Sequence, residues 1–255
     1  MNLRILLLTL LLASSLYGQN DKPTAIDGIT FIEPPQANNR GTAALSYPLT
    51  LPPGRKGVQP DLNITYDSDG SNSWLGLGWN LDLPSITIDS RWGVPRYSNS
   101  IETESNLYAG QALYPLAHRG AERARTADAQ FYPRIESAFE RIIRHGDQIS
   151  NYWWEVTDKD GTRYFYGARP DLGLVENAVL RKSGGAIIHW ALTQIIDTDG
   201  NQIRYYYNQV SDSGNANGTA GIALYPDYIT YTGHNAVEGP FRIDFIRDRE
   251  LGDSL

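Results

Sequence analysis

At 255 residues, with 22 Lys and Arg against 29 Asp and Glu and a formal net charge of −7, the chain suits one large domain or two small ones and has no general attraction for nucleic acid. It has 0 Cys, which excludes a disulfide-dense scaffold, and no two of its 4 His stand at metal-ligand spacing, so neither a zinc site nor any cofactor is expected. Its 16 Tyr, 6 Trp, 24 Gly and 14 Pro suit half-buried pleated strands broken by turns, and amphipathic helical stretches are hard to find.

Residues 1–18 read as a Sec signal peptide. Arg4 precedes an apolar run from Ile5 to Leu12, and the small residues Ala13, Ser14, Ser15 and Gly18 follow. The run is shorter than the ~20 residues of a membrane span, so export without stable membrane insertion is expected. Residues 19–40 form a polar lead-in with Pro23, Pro34 and Pro35 and one short strand expected at 29–32.

A β domain is expected from 41 to 255. Residues 44–51 fit an edge or bulged strand stopped by Pro52-Pro53-Gly54. Leu62, Ile64 and Tyr66 alternate with Asn63 and Thr65, the period of a half-buried strand. A turn at 67–72 follows, and Gly76 and Gly78 are placed to let the backbone pass close to a large buried aromatic, Trp79. Ile86-Thr87-Ile88 continues the alternation. Residues 98–128, with Arg119, Arg123 and Arg125, read as an exposed loop or insertion, and 139–145 fit strand or helix by pattern alone.

The later chain echoes itself. Asp158-Lys159-Asp160-Gly161 leads to Tyr164 and Tyr166, and Asp197-Thr198-Asp199-Gly200 leads to Tyr205, Tyr206 and Tyr207. Asp-Gly between such runs is a hairpin signal, because both central turn positions favour positive φ. Hairpins are therefore predicted at Asp160-Gly161 and Asp199-Gly200, a loop at 211–221, and further strands at 228–231 and 241–246.

Chemistry is sparse. The Asp-x-Asp-Gly stretches open like calcium loops, but the twelfth positions hold Gly78, Arg169 and Asn208 where a bidentate Glu is needed. Gly76-Leu77-Gly78 lacks the third glycine and βαβ context of a dinucleotide fold. Neither a phosphate loop nor a Gly-x-Ser-x-Gly elbow is present. Glu102-Thr103-Glu104 has the paired-glutamate spacing of some ADP-ribosyltransferases; without a companion strand it reads as exposed loop. His189, beside Trp190 in an apolar run, reads as a satisfied strand histidine. Tyr205-Tyr206-Tyr207 puts rings on both faces of a strand, favouring core on one face and cross-strand pairing on the other over a sugar-stacking platform.

Tyr47-Pro48, Pro52-Pro53-Gly54-Arg55, Gly57, Pro60, Leu62, Tyr66 and Leu75-Gly76-Leu77-Gly78-Trp79 together resemble the opening signature of the SpvB and insecticidal toxin-complex B family, which is related to Rhs proteins. The likeness continues through Trp154-x-Val156, Asp160-Gly161, Trp190-x-Leu192 and Tyr225-Pro226. It implies an all-β, antiparallel, hairpin-rich fold, a β-sandwich or part of an Rhs-type shell. It also implies a non-catalytic role in a secreted, virulence-type toxin, where the shell encloses a toxic C-terminal segment. Implied partners are downstream Rhs-type segments, other toxin-complex components and a host-cell surface. The ADP-ribosyltransferase part of such proteins is not in this sequence, and the stop at Leu255 reads as a fragment or truncated reading frame. The competing expectations are a carbohydrate- or cell-surface-binding module and, with no constellation to carry it, a hydrolase.

Overall fold

The structure, a computed structural model, describes residues 36–37, 41–98, 100–115, 123–135, 138–212 and 220–248. The signal peptide and the strand expected at 29–32 lie outside them. Strands β1 (Gln36–Ala37), β2 (Ala43–Pro48) and β3 (Asn63–Asp67) pair antiparallel; a two-residue ladder, β4 (Asn72–Ser73) with β5 (Gly76–Leu77), turns the chain into β6 (Trp79–Leu81), which returns along β3. Strand β2 stops at Pro48, short of the expected 51.

The main sheet begins with β7 (Ser85–Ile88). Then β8 (Asn106–Tyr108), β9 (Gln111–Pro115), β10 (Ala129–Pro133), β11 (Arg141–His145), β12 (Trp153–Thr157) and β13 (Arg163–Tyr166) follow, each antiparallel to the one before. After a small hairpin, β14 (Ala168–Arg169) with β15 (Gly173–Leu174), and β16 (Val179–Arg181), the long strand β17 (Ile187–Ile196) closes the ring. One edge of β17 pairs with β7 (Trp190 opposite Ile86), the other with β13 (Ile195 opposite Tyr164). The edges are opposite because Leu192 N–H donates to the Pro84 carbonyl at 3.1 Å while the neighbouring Ala191 carbonyl accepts from Gly167 N–H at 2.9 Å. The result is an eight-stranded antiparallel barrel. Its closure uses a bulge at Thr193, whose hydroxyl donates to the Phe165 carbonyl at 2.8 Å.

Alternation dictates the filling. Side chains directly opposite one another share a face, so Ile86, Phe131, Ile142, Trp154, Tyr166 and Trp190 meet inside, each 2% exposed or less. The Trp154 ring stands edge-on to Phe131 at 5.0 Å and to Trp190 at 6.0 Å. Eight strands enclose a space that side chains can fill. The C-terminal half of β17 also pairs with β18 (Asn201–Asp212), and β18, β19 (Gly221–His234) and β20 (Phe241–Asp244) branch away as an antiparallel extension.

The all-β, antiparallel, hairpin-rich class is what the structure contains. Residues 98–128 depart from the expected exposed loop: they contribute two barrel strands and an Ile101–Ala124 bridge, while 116–122 lie outside the described residues. Residues 139–145 resolve to strand β11.

Candidate functional site at the two ends of the barrel

One end of the barrel is sealed by charge. Arg144 projects inward from β11, 1% exposed, with its guanidinium 3.9 Å from the Tyr152 ring centroid and 5.2 Å from that of Phe131. It donates to Glu102 Oε1. Arg125 forms a two-pronged pair with Glu104, with Nη2 to Oε2 at 3.0 Å, and also donates to the Tyr152 hydroxyl at 3.0 Å and the Ser98 carbonyl at 2.7 Å. Trp190 Nε1–H donates to the Tyr152 carbonyl, tying the cap to the filling. Glu102 and Glu104 are 8% and 5% exposed, so the exposed-loop expectation for this pair is overturned. Two carboxylates here neutralise two buried arginines and hold residues 100–105 over the barrel end. Arg125, expected in an exposed loop, belongs to the same cap.

The opposite end opens. A cleft of about 980 Å³ lies between the barrel mouth and the β3–β6 segment. Glu140, just before β11, accepts from the Tyr108 hydroxyl at 3.1 Å, and burial raises the pKa of both groups above their ordinary values, making each a weaker acid. Asp61 and Asp82 approach from the other wall. Each is held by an amide two residues away, Asn63 Nδ2 to Asp61 at 3.1 Å and Asn80 Nδ2 to Asp82. Tyr164, Tyr166 and Tyr205 complete the wall, with Gln59, Asn63 and Asn80. Among the described residues no Lys, Arg or His lines this cleft, and none of its three carboxylates is in an ion pair. Such an arrangement accepts hydrogen bonds and attracts positive charge.

The signature residues build the loop that presents one wall. Tyr47 and Pro48 end β2, and Pro53 is exposed beyond it. Gly54 N–H donates to Gln59 Oε1 at 2.9 Å; a Cβ at Gly54 would fall 1.9 Å from the Val58 carbonyl oxygen, so only glycine fits. The Pro52 carbonyl accepts from the Tyr231 hydroxyl at 3.1 Å, Gly57 closes a short turn, and Pro60 and Leu62 are buried. Gly76 sits in the β4–β5 ladder, and Gly78 has φ +78° with a would-be Cβ 2.8 Å from the Tyr66 ring. Trp79 corrects the expectation of a large buried aromatic: it is 38% exposed, paired across the strands with Tyr66 at 5.0 Å between centroids.

Asp160 and Gly161 lie in the β12–β13 turn, where Asp160 Oδ1 accepts from Thr162 N–H at 2.8 Å; Asp199 and Gly200 lie in the β17–β18 turn, where Asp197 Oδ1 accepts from Asn201 N–H at 2.7 Å. Asp160 and Asp197 thus serve their own turn backbone. Lys56 Nζ reaches Asp199 at 2.8 Å, so the signature loop touches the second turn. The cleft itself falls between the residues singled out from sequence: Asp61 lies between Pro60 and Leu62, Asp82 follows β6, and Glu140 has no motif. Of the Tyr205-Tyr206-Tyr207 run, Tyr205 and Tyr207 are buried. The Tyr206 ring stacks on Tyr228 at 4.2 Å with Arg169 5.5 Å from its centroid, so that ring is engaged within the protein. His189 is a strand residue as expected, but its side chain is not satisfied: it makes no hydrogen bond among the described residues and faces a small apolar cavity with Trp74, Leu180 and Tyr207.

The sequence profile described as Salmonella virulence plasmid 65kDa B protein, SpvB, matches residues 37–225. Mono(ADP-ribosyl)transferases SpvB of Salmonella choleraesuis (strain SC-B67) and Salmonella typhimurium are 25% identical over 192 residues, and the chain spans 31% of their length against 70% of its own. The crystal structure of TcdB2-TccC3 is similar with TM-score 0.60 and 25% identity, covering 78% of this chain and 10% of that one. The N-terminal domain of effector protein SpvB from Salmonella typhimurium strain LT2 shares the fold, with TM-score 0.55 and 21% identity over 72% of this chain and 63% of that one.

Proposed function

The chain belongs to the SpvB family, and on that premise we propose that it is a non-catalytic structural module of an exported toxin-like protein, one wall of a β-shell that houses or delivers a toxic segment carried elsewhere. The observation that carries this reading is the pairing of a self-filled, charge-capped barrel with a three-stranded branch. Strand β20 of that branch pairs on one edge only among the described residues, with Phe241 41% exposed. An unpaired edge is a template for further strands, which suits a module continued by downstream shell segments. The likeness to TcdB2-TccC3, a component assembly of far greater length, supports the same partners. The similarity to the Salmonella transferases supports a toxin context.

In this reading residues 1–18 direct Sec export, 19–40 form the lead-in, and 41–255 are the shell module, without nucleic-acid or membrane partners. Among the described residues no helix is long and apolar enough to cross a membrane. The test is the intact mass of the native secreted product followed by limited proteolysis. The expected result is a resistant core containing 41–248 and a second segment that becomes cleavable only on denaturation. A product in which no segment is sheltered removes the shell reading.

A further inference from the structure

Tyr205 sits at the back of the acidic cleft. It is 6% exposed, yet its hydroxyl makes no hydrogen bond among the described residues and is not among the side-chain atoms sealed from the surface, so it opens onto the cleft. Asp61 and Tyr164, both of the cleft wall, act on it electrostatically. A hydroxyl that opens onto the cleft and has no partner within the protein is free to bond a ligand there. Asp61 and Asp82 each keep acceptor capacity beyond the amide that holds them, and Glu140 receives a single phenol. Asp158, beyond Glu140, adds negative potential at the mouth. The walls between these groups are tyrosine rings and the apolar Leu81, Leu83 and Leu107. At about 980 Å³ the space is far larger than a metal ion needs and sits at the size of a ligand-binding cleft.

We propose that this cleft binds an extended lysine- or arginine-bearing peptide segment, whose cationic head is held by Asp61, Asp82 and Glu140, whose aliphatic stem lies on the tyrosine and leucine walls, and whose polar backbone meets the Tyr205 hydroxyl. Carboxylates neutralise the head, the rings favour a cation over their faces, and the stem buries apolar surface. The inference stands apart from the shell reading, since a binding cleft and a structural wall coexist on one module.

The full chain is titrated with a short Lys-Ser repeat peptide, followed by calorimetry and by amide chemical shifts on the wild type. Saturable binding is expected, weaker at higher salt, with shifts confined to 59–63, 80–85, 107–110 and the Tyr164 and Tyr205 neighbourhoods. Asp61→Asn, Asp82→Asn and Glu140→Gln together are expected to weaken it at least about tenfold. Asp147→Asn, Glu176→Gln and Asp244→Asn, which remove the same charge elsewhere, leave it unchanged. Tyr205→Phe weakens it without lowering Tm. Absence of saturable binding, shifts spread over the surface, or equal loss in the charge-matched control overturns the site. Equal or tighter binding of a glucosamine oligomer or a polyamine overturns the peptide assignment.

Discussion

Arg144 is a charge placed inside a barrel, and its surroundings explain how it is tolerated: one carboxylate, two ring faces and a sealed end. Removing one member of a buried pair strands the other, so Arg144→Ala is expected to destabilise by about 3–5 kcal/mol in urea unfolding. The double change Arg144→Met with Glu102→Leu should recover much of that loss; a cost for Arg144→Ala below about 1 kcal/mol would show that the cap contributes little. The histidines set a pH dependence of mixed sign. Burial lowers the pKa of His189 from 6.5 to about 4, so the unfolded chain takes up its proton first. Stability therefore falls as pH drops from 6.5 toward 4, by up to roughly 3 kcal/mol. His145 opposes this. Its pKa is raised: burial works against the charge, but the Glu155 and Asp128 carboxylates outweigh it. It therefore adds stability below its ordinary pKa that is lost as pH rises through the folded value. Thermal unfolding across pH should show the acid loss shrinking in His189→Gln; an unchanged acid limb would assign that loss elsewhere.

Among the elements, the signature loop is fastened at two points of unequal strength, to β19 through Tyr231 and to the β17–β18 turn through Asp199. Tyr231→Phe removes the hydrogen bond to the Pro52 carbonyl and is expected to cost about 1 kcal/mol. Lys56→Ala removes an exposed pair and is expected to change stability by less than about 0.5 kcal/mol, both read by denaturant midpoint. Gly78→Ala meets both a positive φ and the Asp67 carbonyl 2.5 Å from the new Cβ, so it should cost more than either. Hairpin signals were legible where Asp-Gly stood between long alternating runs. The β8–β9 hairpin was not. Its turn is Ala109–Gly110, with φ +47° and +74°, and Ala does not announce that conformation. Its strands carry Asn106 and Gln111 on the inner face, opposite Leu113 and Tyr108, which hides the alternation.

For the whole molecule, barrel closure predicts a gradient of local stability. Amides of β12, β13 and β17, paired on both sides within the ring, should exchange slowest, and those of β20 fastest. Uniform exchange across the branch and the ring would mean that closure adds no cooperativity. Composition, alternation and turn residues determined by themselves that this chain is antiparallel β, where several strands lie and which loop signature it carries, because side-chain period and turn conformation are local properties. Only the tertiary structure decided that β17 joins β7 to β13. It alone buried Glu102 against Arg144, 42 residues away, and brought Asp61, Asp82 and Glu140 to one mouth. Ring closure and charge pairing join residues distant in sequence, and no local pattern of polar residues distinguishes a solvated carboxylate from one that seals a barrel.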